Sequence, residues 1–186
     1  LYDGAKTLQV WDVQTGKLYA DFTGTKWDVL SVAFVPGGQR LVAHRQDRAG
    51  PSSASSYDIA VFDLATRKAE RSWKPGTAGN QLQVTKDGST VLLAGPTYVG
   101  SAHGGWVGWS ILTGKVVAQG GGGLRQILHF FTGGGAGGWL VTNQAFGSTG
   151  GTIILNELFD KTGKLLKRWE VPRVSNALHP SSDLLF

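Results

Sequence analysis

The sequence predicts an all-β chain that is built from repeated, four-stranded antiparallel units. One segment of alternating apolar residues, closed by a turn and a basic residue, occurs four times, at residues 8–17, 59–68, 107–115 and 158–164. The closing lysines are about 50 positions apart, and a period of roughly 40–50 residues made of short strands is typical of a β-propeller. Apolar and polar residues also alternate between the copies, and helical periodicity is absent throughout.

Each unit divides into four predicted strands, which we name a, b, c and d from the inside of the unit outward. Turn residues separate them: Gly16 follows the first strand c, Pro36 opens a turn between a and b, and Gly88 closes the next such turn. The glycine run 120–123 is expected to be a flexible turn. In chain order the predicted strands are c 7–13, d 17–23, a 29–35, b 39–45, c 58–64, d 68–73, a 81–85, b 89–94, c 105–112, d 115–119, a 124–131, b 139–143, c 152–159, d 164–171, a 174–178 and b 183–186.

The predicted strands form one domain with about four blades' worth of sheet. The chain holds strands c and d of one blade, three full blades, and strands a and b of the next, with repeats near 1–23, 29–74, 81–119, 124–171 and 174–186. Two arrangements fit this order. The chain is part of a larger propeller, which we favour, or its last two strands pair with its first two and close a four-bladed ring. The choice matters because open sheet edges promote aggregation.

Composition narrows the classes of partner. Cysteine is absent, which excludes disulfides and thiolate metal sites, and no apolar run approaches the roughly 20 residues that span a bilayer. We therefore expect no membrane partner, and the compartment stays open. The net charge of +5 favours an acidic partner. The densest basic runs, 67–74 and 161–168, fall on predicted outermost strands. Lysines and arginines on an exposed sheet edge, which prevent edge-to-edge pairing, explain these runs better than a nucleic-acid-binding surface does.

Several short motifs carry a resemblance to a known family. Val10-Trp11-Asp12 and Val61-Phe62-Asp63 each precede a threonine-containing turn, the segment 31–38 has a Ser-Val-Ala-Phe-x-Pro-x-Gly pattern, and Lys86-Asp87-Gly88 forms a predicted a–b turn. These residues resemble the WD-repeat β-propeller family, and the resemblance covers nearly the whole chain. It implies a protein-interaction platform without catalysis.

The repeats also depart from that family. Its Gly-His pair before strand a is absent, since the slot reads Gly24-Thr25 in one unit and holds no His in any other. Phe62 and Phe159 stand where the family has Trp, and Ser110 stands where it has Asp. A propeller of the quinoprotein-like type therefore stays open.

Loop lengths give the best functional clue. The c–d turns are tight, whereas the predicted b–c loops 46–57, 95–104 and 144–151 are long. In a propeller the b–c and d–a loops share one face, and long loops on a rigid face suit a binding surface. Eight residues on or beside these loops are the predicted partner contacts: Trp27, Asp28, Arg45, Asp47, Arg48, Tyr57, Tyr98 and His103.

Each of these contacts has a structural alternative. Trp27, placed with Asp28 on a d–a loop, is either an exposed anchor or a cap on the core beneath, because Trp and Arg dominate interface hot spots but also pack well. If Arg45 does not contact a partner, it is a solvent-exposed charge at the base of a loop. In the same way, His103 is then an inert surface residue. The other tryptophans are expected in the core, with Trp11 and Trp109 at equivalent positions of strand c.

Motifs for catalysis and metal binding were not found. The four histidines have no zinc-ligand spacing, and neither a phosphate-binding loop nor a nucleophile elbow occurs. Glu157 has no matching acid in the other copies and is a poor metal candidate. We expect no cofactor, no metal and no catalytic residue, and predict a non-catalytic scaffold that binds another protein.

Two other classes of function stay open. A ligand-binding or enzymatic propeller would need polar residues at its axis, for which Asn80, Arg125 and Asn176 are candidates. A structural role would use self-association, or completion by further blades outside this chain. Nucleic-acid binding is the least favoured.

Overall fold

The computed structural model describes residues 8–22, 27–47, 56–75, 79, 81–95, 104–123, 129–131, 138–146 and 152–172. These residues contain β-strands, turns and bends, and none of them lies in a helix. Accordingly, no helix long and apolar enough to cross a membrane is present in this part of the chain. The strands are β1 Gln9–Asp12, β2 Lys17–Asp21, β3 Trp27–Phe34, β4 Arg40–Asp47, β5 Ser56–Asp63, β6 Lys68–Trp73, β7 Gln81–Val84, β8 Thr90–Gly95, β9 Gly104–Ser110, β10 Val116–Gly123, β11 His129–Phe131, β12 Trp139–Phe146, β13 Thr152–Phe159 and β14 Leu165–Pro172.

The strands form four antiparallel sheets in which each strand pairs with the next one along the chain. Sheet 1 has β1 and β2, sheet 2 has β3 to β6, sheet 3 has β7 to β10, and sheet 4 has β11 to β14. This confirms the all-β, antiparallel prediction. The first predicted strands c and d form sheet 1, whereas the predicted strands 174–178 and 183–186 lie outside the described residues.

The sheets stack face to face in chain order, with an apolar cluster between each pair of neighbours. Sheets 1 and 2 share a cluster that includes Phe22 and Phe62. Sheets 2 and 3 share one that includes Ile59 and Leu93. Sheets 3 and 4 share one built around Trp106 and neighbouring aromatic rings. Each central sheet is thus covered on both faces, which buries its central strands β4, β5 and β8 almost completely.

The glycine run is the clearest error in the predicted strands. Gly120 pairs with Trp106 and Gly123 pairs with Gly104, so the run completes β10 instead of forming a turn. An added Cβ at Gly120 would lie 2.9 Å from Nε1 of Trp106. A strand without side chains at this point lets the indole pack directly on the backbone, which is a known use of glycine inside a strand.

The tryptophans follow the prediction with two exceptions, Trp11 and Trp169, of which Trp169 is only half-buried and lies beside Lys167. Trp106, Trp109 and Trp139 are each at most 2% exposed, and Trp73 packs against the cluster between sheets 2 and 3. Trp11, however, is 54% exposed, although it stands at the position equivalent to Trp109. Residues at this position face the preceding sheet, and within the described part of the chain no sheet precedes sheet 1.

The two ends of each sheet differ. At one end, which we call the turn end, tight turns join β1 to β2, β3 to β4 and β5 to β6. The opposite end, which we call the loop end, holds the start of β3, the end of β4 and the start of β5. There the connections between second and third strands run through residues 48–55, 96–103 and 147–151, outside the described residues.

Candidate functional site

Five of the eight predicted contact residues come together at the loop end of sheet 2. Trp27 pairs with Asp47 across β3 and β4, and the next pair of the same ladder is Asp28 with Gln46. Tyr57, near the start of β5, pairs with Gln46 from the other side. Cross-strand neighbours have their Cβ atoms only about 5 Å apart, so these side chains form one local group. The remaining three predicted contacts, Arg48, Tyr98 and His103, lie outside the described residues.

The loop placement of Trp27 and Asp28 was wrong. Both residues are paired in β3, and Asp47 is likewise paired at the end of β4. The ladder extends this far because Gln46 and Asp47 pair on both sides, with β3 and with Tyr57 and Ser56 of β5. A central strand that is paired on both sides holds its neighbours in register to the end of the sheet.

Burial divides the group into interior and surface members. Asp28 and Arg45 are each only 8% exposed, while Trp27, Asp47 and Tyr57 are half-buried. Alternation along β3 and β4 places Trp27 and Arg45 on the face toward sheet 1, and Asp28 and Tyr57 on the face toward sheet 3. The half-buried side chains are therefore the ones in this group that a partner can reach directly.

An ion pair fixes the face toward sheet 1. Arg45 donates from Nε and Nη2 to Oδ1 of Asp58, at 3.3 and 2.7 Å, and both side chains are buried. The guanidinium carbon lies 4.9 Å from the ring centroid of Trp27 and 5.4 Å from that of Phe62. A cation over an aromatic face is attracted by the ring quadrupole, more strongly where water is excluded. Arg45 therefore holds the Trp27 ring in place.

The Asp58 partner was missed from the sequence, although a signal for it was present. Arg45 and Asp58 are directly opposite each other in the β4–β5 ladder. Opposite charges at equal distances from a predicted hairpin connection are expected to pair across the strands. The sequence prediction gave the bounds of strands b and c but not their register. Pairing the two strands outward from their connecting loop would have placed Arg45 opposite Asp58.

A buried histidine occupies the other face. His44 is 0% exposed, and its ring stacks on Tyr57 with the centroids 5.7 Å apart and 24° between the planes. Burial lowers the pKa of His44 to about 4, against smaller opposing effects of the Gly79 backbone and the Asp58 charge. The imidazole is therefore neutral near pH 7. By distance and angle neither ring nitrogen makes a hydrogen bond within the described chain, so the Gly79 backbone affects the pKa without a well-formed bond; Oγ of Ser31, the cross-strand neighbour of His44, also lacks a partner there.

Acids at the turn end have structural partners. Asp12, Asp63 and Asp160 stand at equivalent positions of the turns after β1, β5 and β13, and each accepts hydrogen bonds from backbone N–H groups of its own turn. These bonds, together with the hydroxyl bond from Thr162 that is the largest effect at Asp160, hold the pKa of each carboxyl below its usual value. Such bonds stabilise tight turns, so these acids are explained without a catalytic role.

Glu157 is explained by an ion pair as well. It is 3% exposed, and its Oε1 accepts from Nε and Nη2 of Arg168 at 2.9 and 2.5 Å. Among the described residues no group of three or more His, Asp and Glu side chains could hold a metal ion. The three axis candidates, Asn80, Arg125 and Asn176, lie outside the part of the chain that the structure describes.

Comparisons with known proteins give structural neighbours only. No family model matches the chain, and no curated protein matches it. Among solved structures, hydrazine synthase of Kuenenia stuttgartiensis superimposes on 90% of this chain and on 48% of its own, with a TM-score of 0.61 and 15% identity. Acylaminoacyl peptidase of Pyrococcus horikoshii superimposes on 73% of this chain and 24% of its own, with a TM-score of 0.52 and 10% identity.

These neighbours are β-propeller proteins. The chain has a fold of the β-propeller type. At such low identities the likeness shows the fold alone, and this chain spans less than half the length of each of these two neighbours. In a propeller the loop end and the turn end of successive sheets become the two faces of the disc, so the group around Trp27 and Tyr57 belongs to one face.

Proposed function

We propose that this protein is a non-catalytic interaction scaffold, and that it binds another protein through the loop end of its sheets. In this proposal each four-stranded sheet is one blade of a propeller whose repeats are related to the WD type. The motifs at residues 10–12, 61–63 and 31–38 support the relationship.

The arrangement of Trp27 and Tyr57 carries the proposal. They lie at the same end of sheet 2, on opposite faces, and both are half-buried. Each ring rests on a buried side chain: Trp27 on the guanidinium of Arg45, and Tyr57 on the neutral imidazole of His44. Binding energy concentrates in a few aromatic anchors, and an anchor that is already held in its rotamer loses little entropy on binding. Two such anchors beside long connections make this end suited to gripping a protein surface.

The predicted contacts now have different roles. Arg45 and Asp28 are buried, so we assign them the positioning of their neighbours and not direct contact. Trp27, Asp47 and Tyr57 are the direct contacts of the described group. Arg48, Tyr98 and His103 keep their predicted contact roles on the neighbouring connections. The net charge of +5 supports an acidic partner.

The partners of the described acids support binding over catalysis. General acid–base chemistry needs a titratable pair that faces a substrate. Asp58 and Glu157 are each engaged by an arginine, and the acids of the tight turns are engaged by backbone N–H groups. The loop end of sheet 2 offers the aromatic rings of Trp27 and Tyr57 and a guanidinium held in place by Asp58. These are features of a protein-docking site.

A capture experiment with a matched control tests the proposal. The double variant Trp27→Ala/Tyr57→Ala removes both anchors. The control Leu165→Ala/Leu166→Ala removes two large apolar side chains from sheet 4, where they are 41% and 55% exposed. Each purified protein is immobilised and exposed to an extract of the cells that produce it, and the retained proteins are quantified by mass spectrometry.

We expect wild type and the control to retain the same partner in similar amounts. The Trp27/Tyr57 variant should retain at least tenfold less of it, because truncating an anchor side chain costs about 2 kcal/mol or more of binding free energy. Unchanged unfolding midpoints would show that the loss reflects binding. Equal retention by all three proteins, or equal loss from both variants, would contradict a binding surface at this end.

A further inference from the structure

Tyr57, one of the two proposed anchors, rests on a side chain that can change its charge. The imidazole of His44 stacks on the Tyr57 ring, with the centroids 5.7 Å apart and 24° between the planes. Tyr57 is half-buried, whereas His44 is 0% exposed. Tyr57 pairs with Gln46, which is two residues closer to the loop end than His44. The Tyr57 ring therefore covers His44 on the side nearest the loop end.

The surroundings of His44 suit the neutral imidazole. A charged imidazolium donates from both ring nitrogens and needs an acceptor for each of them. By distance and angle neither nitrogen makes a hydrogen bond within the described chain, and Oγ of Ser31, directly across the ladder, lacks a partner there as well. A proton added to the closed ring would therefore place a poorly compensated charge between sheets 2 and 3, and burying such a charge is costly.

Charged groups around His44 do not offset this cost. The carboxylate of Asp58 favours protonation, but it lies on the opposite face of β5, where Arg45 donates to it at 2.7 Å. On the face of His44 itself, β3 contributes Asp28 and β5 contributes Tyr57. Toward sheet 3, none of the strands β7 to β10 contains a titratable side chain. Burial therefore prevails and lowers the pKa of His44 to about 4.

The side of His44 toward sheet 3 is closed by backbone. The Gly79 backbone acts on the imidazole, and an added Cβ at Gly79 would lie 2.7 Å from Cγ of Leu93 and 2.9 Å from the carbonyl oxygen of Ala94. The Gly79 segment is thus in close contact with β8 and leaves His44 no room to move that way. The half-buried Tyr57 ring is the part of the surroundings that can move toward solvent.

We propose that His44 is a positioning residue for the Tyr57 anchor, and that protonation of His44 in mild acid releases the Tyr57 ring and weakens docking at the loop end. This rests on the proposed function, because it regulates the same surface. Once the ring has moved away, His44 is solvated and has the ordinary pKa of 6.5, against about 4 in the closed form. Acid therefore favours the open form, and a change from pH 7 to pH 5 should raise the ratio of open to closed chains roughly 20-fold.

NMR of the chain alone tests the release of the ring without a partner. Isotope-labelled histidine and tyrosine report both rings in one sample, and the variants His44→Phe and Tyr57→Phe assign the two signals. We expect the His44 and Tyr57 signals of wild type to shift together between pH 6.5 and pH 4, and the Tyr57 signal of His44→Phe to stay unchanged. Tyr19 of sheet 1, which is 48% exposed, is the control and should not shift.

Two NMR results would overturn the proposal. A titration of His44 that leaves the Tyr57 signal in place would show that the imidazole becomes charged without moving the ring. A simultaneous change of the Tyr57 and Tyr19 signals would show unfolding of the whole fold instead of a local release.

A pH step on the immobilised chain tests the effect on docking. Wild type and His44→Phe each retain proteins from a cell extract at pH 7, and both columns are then brought to pH 5. We expect the wild-type column to release about tenfold more of the shared partner, because Phe keeps a ring against Tyr57 but takes up no proton. Equal release from both columns would overturn the regulation. Retention of no partner at pH 7 would contradict the proposed function, and the NMR titration would then decide the release of Tyr57 by itself.

Discussion

At the scale of single residues, the buried charge pair determines how the loop end of sheet 2 is built. Arg45 and Asp58 are both 8% exposed, and the guanidinium contacts Trp27 as well as the carboxylate. Breaking a buried pair from one side leaves an uncompensated charge, which costs far more than the pair itself contributes. The same arginine therefore links the stability of the sheet to the position of the proposed anchor.

Asp58→Ala is expected to lower the free energy of unfolding by about 3–5 kcal/mol, because it leaves Arg45 buried without its counter-charge. Glu70→Ala is the matched control, since Glu70 forms an exposed pair with Arg40 at 3.4 Å, and it should cost less than about 1 kcal/mol. Urea unfolding followed by tryptophan fluorescence measures both values. Similar losses for the two variants would contradict the assignment of Arg45–Asp58 as an interior pair.

His44 makes stability depend on pH in a defined window. Its pKa is about 4 in the folded chain, against 6.5 for an ordinary histidine. The unfolded chain therefore binds a proton more readily between these values, so stability is complete above about pH 6.5 and falls as the pH approaches 4. The difference corresponds to about 3 kcal/mol at the acid end of the window.

His44→Phe should remove this pH dependence. Unfolding free energies measured at intervals from pH 7 to pH 4 should fall more steeply for wild type than for the variant. Carboxyl groups with lowered pKa values, such as Asp63, lose their contribution as the pH falls toward and below 3.8, and they affect both proteins equally. Parallel curves for the two proteins would mean that His44 is not buried as a neutral ring.

At the scale of elements, the tight turns after β1, β5, β9 and β13 each contain one residue with a positive φ near their end. Gly16, Gly114 and Gly163 have φ values of 65°, 68° and 86°, and Arg67 stands at the equivalent place with a φ of 58°. A residue with a Cβ pays about 1–2 kcal/mol for this left-handed conformation. The turn between β5 and β6 is therefore the strained member of the set.

Arg67→Gly should stabilise the chain by roughly 0.5–1 kcal/mol, the relief of strain being partly offset by the greater freedom of glycine in the unfolded state. Gly16→Ala is the converse control, because its φ is 65° and no atom lies within 4 Å of an added Cβ, and it should be destabilising. Thermal unfolding distinguishes the two. A loss of stability in Arg67→Gly would show that the arginine side chain contributes more than its backbone costs.

The elements were well predicted where local patterns specify them. The strands Lys68–Trp73 and Thr152–Phe159 have the predicted bounds, because alternation and a turn delimit both ends. The glycine run at 120–123 was mispredicted, since its strand conformation depends on Trp106, a residue on another strand. Five predicted contact residues do lie together at one end of sheet 2, but Asp58 and His44 were missed because their positions depend on register and burial.

At the scale of the whole molecule, the repeat predicts the stacking of sheets but not the exposure of equivalent positions. Trp11 and Trp109 have the same place in the repeat, yet one is 54% and the other 2% exposed. The difference depends on whether a preceding sheet is present, which no local pattern reports. The repeat therefore predicts the unit and the order of the units, while the exposure of a given position depends on whether another sheet packs against it.

We propose that the loop end, and not the turn end, is the binding face. Hydrogen–deuterium exchange of the chain with and without its captured partner tests this most directly, because each end of sheet 2 has its own backbone amides. Binding through the loop end should slow exchange at residues 27–29, 45–47 and 56–58. Protection confined to the turn end of sheet 2, at residues 35–39 and 64–67, would contradict this proposal.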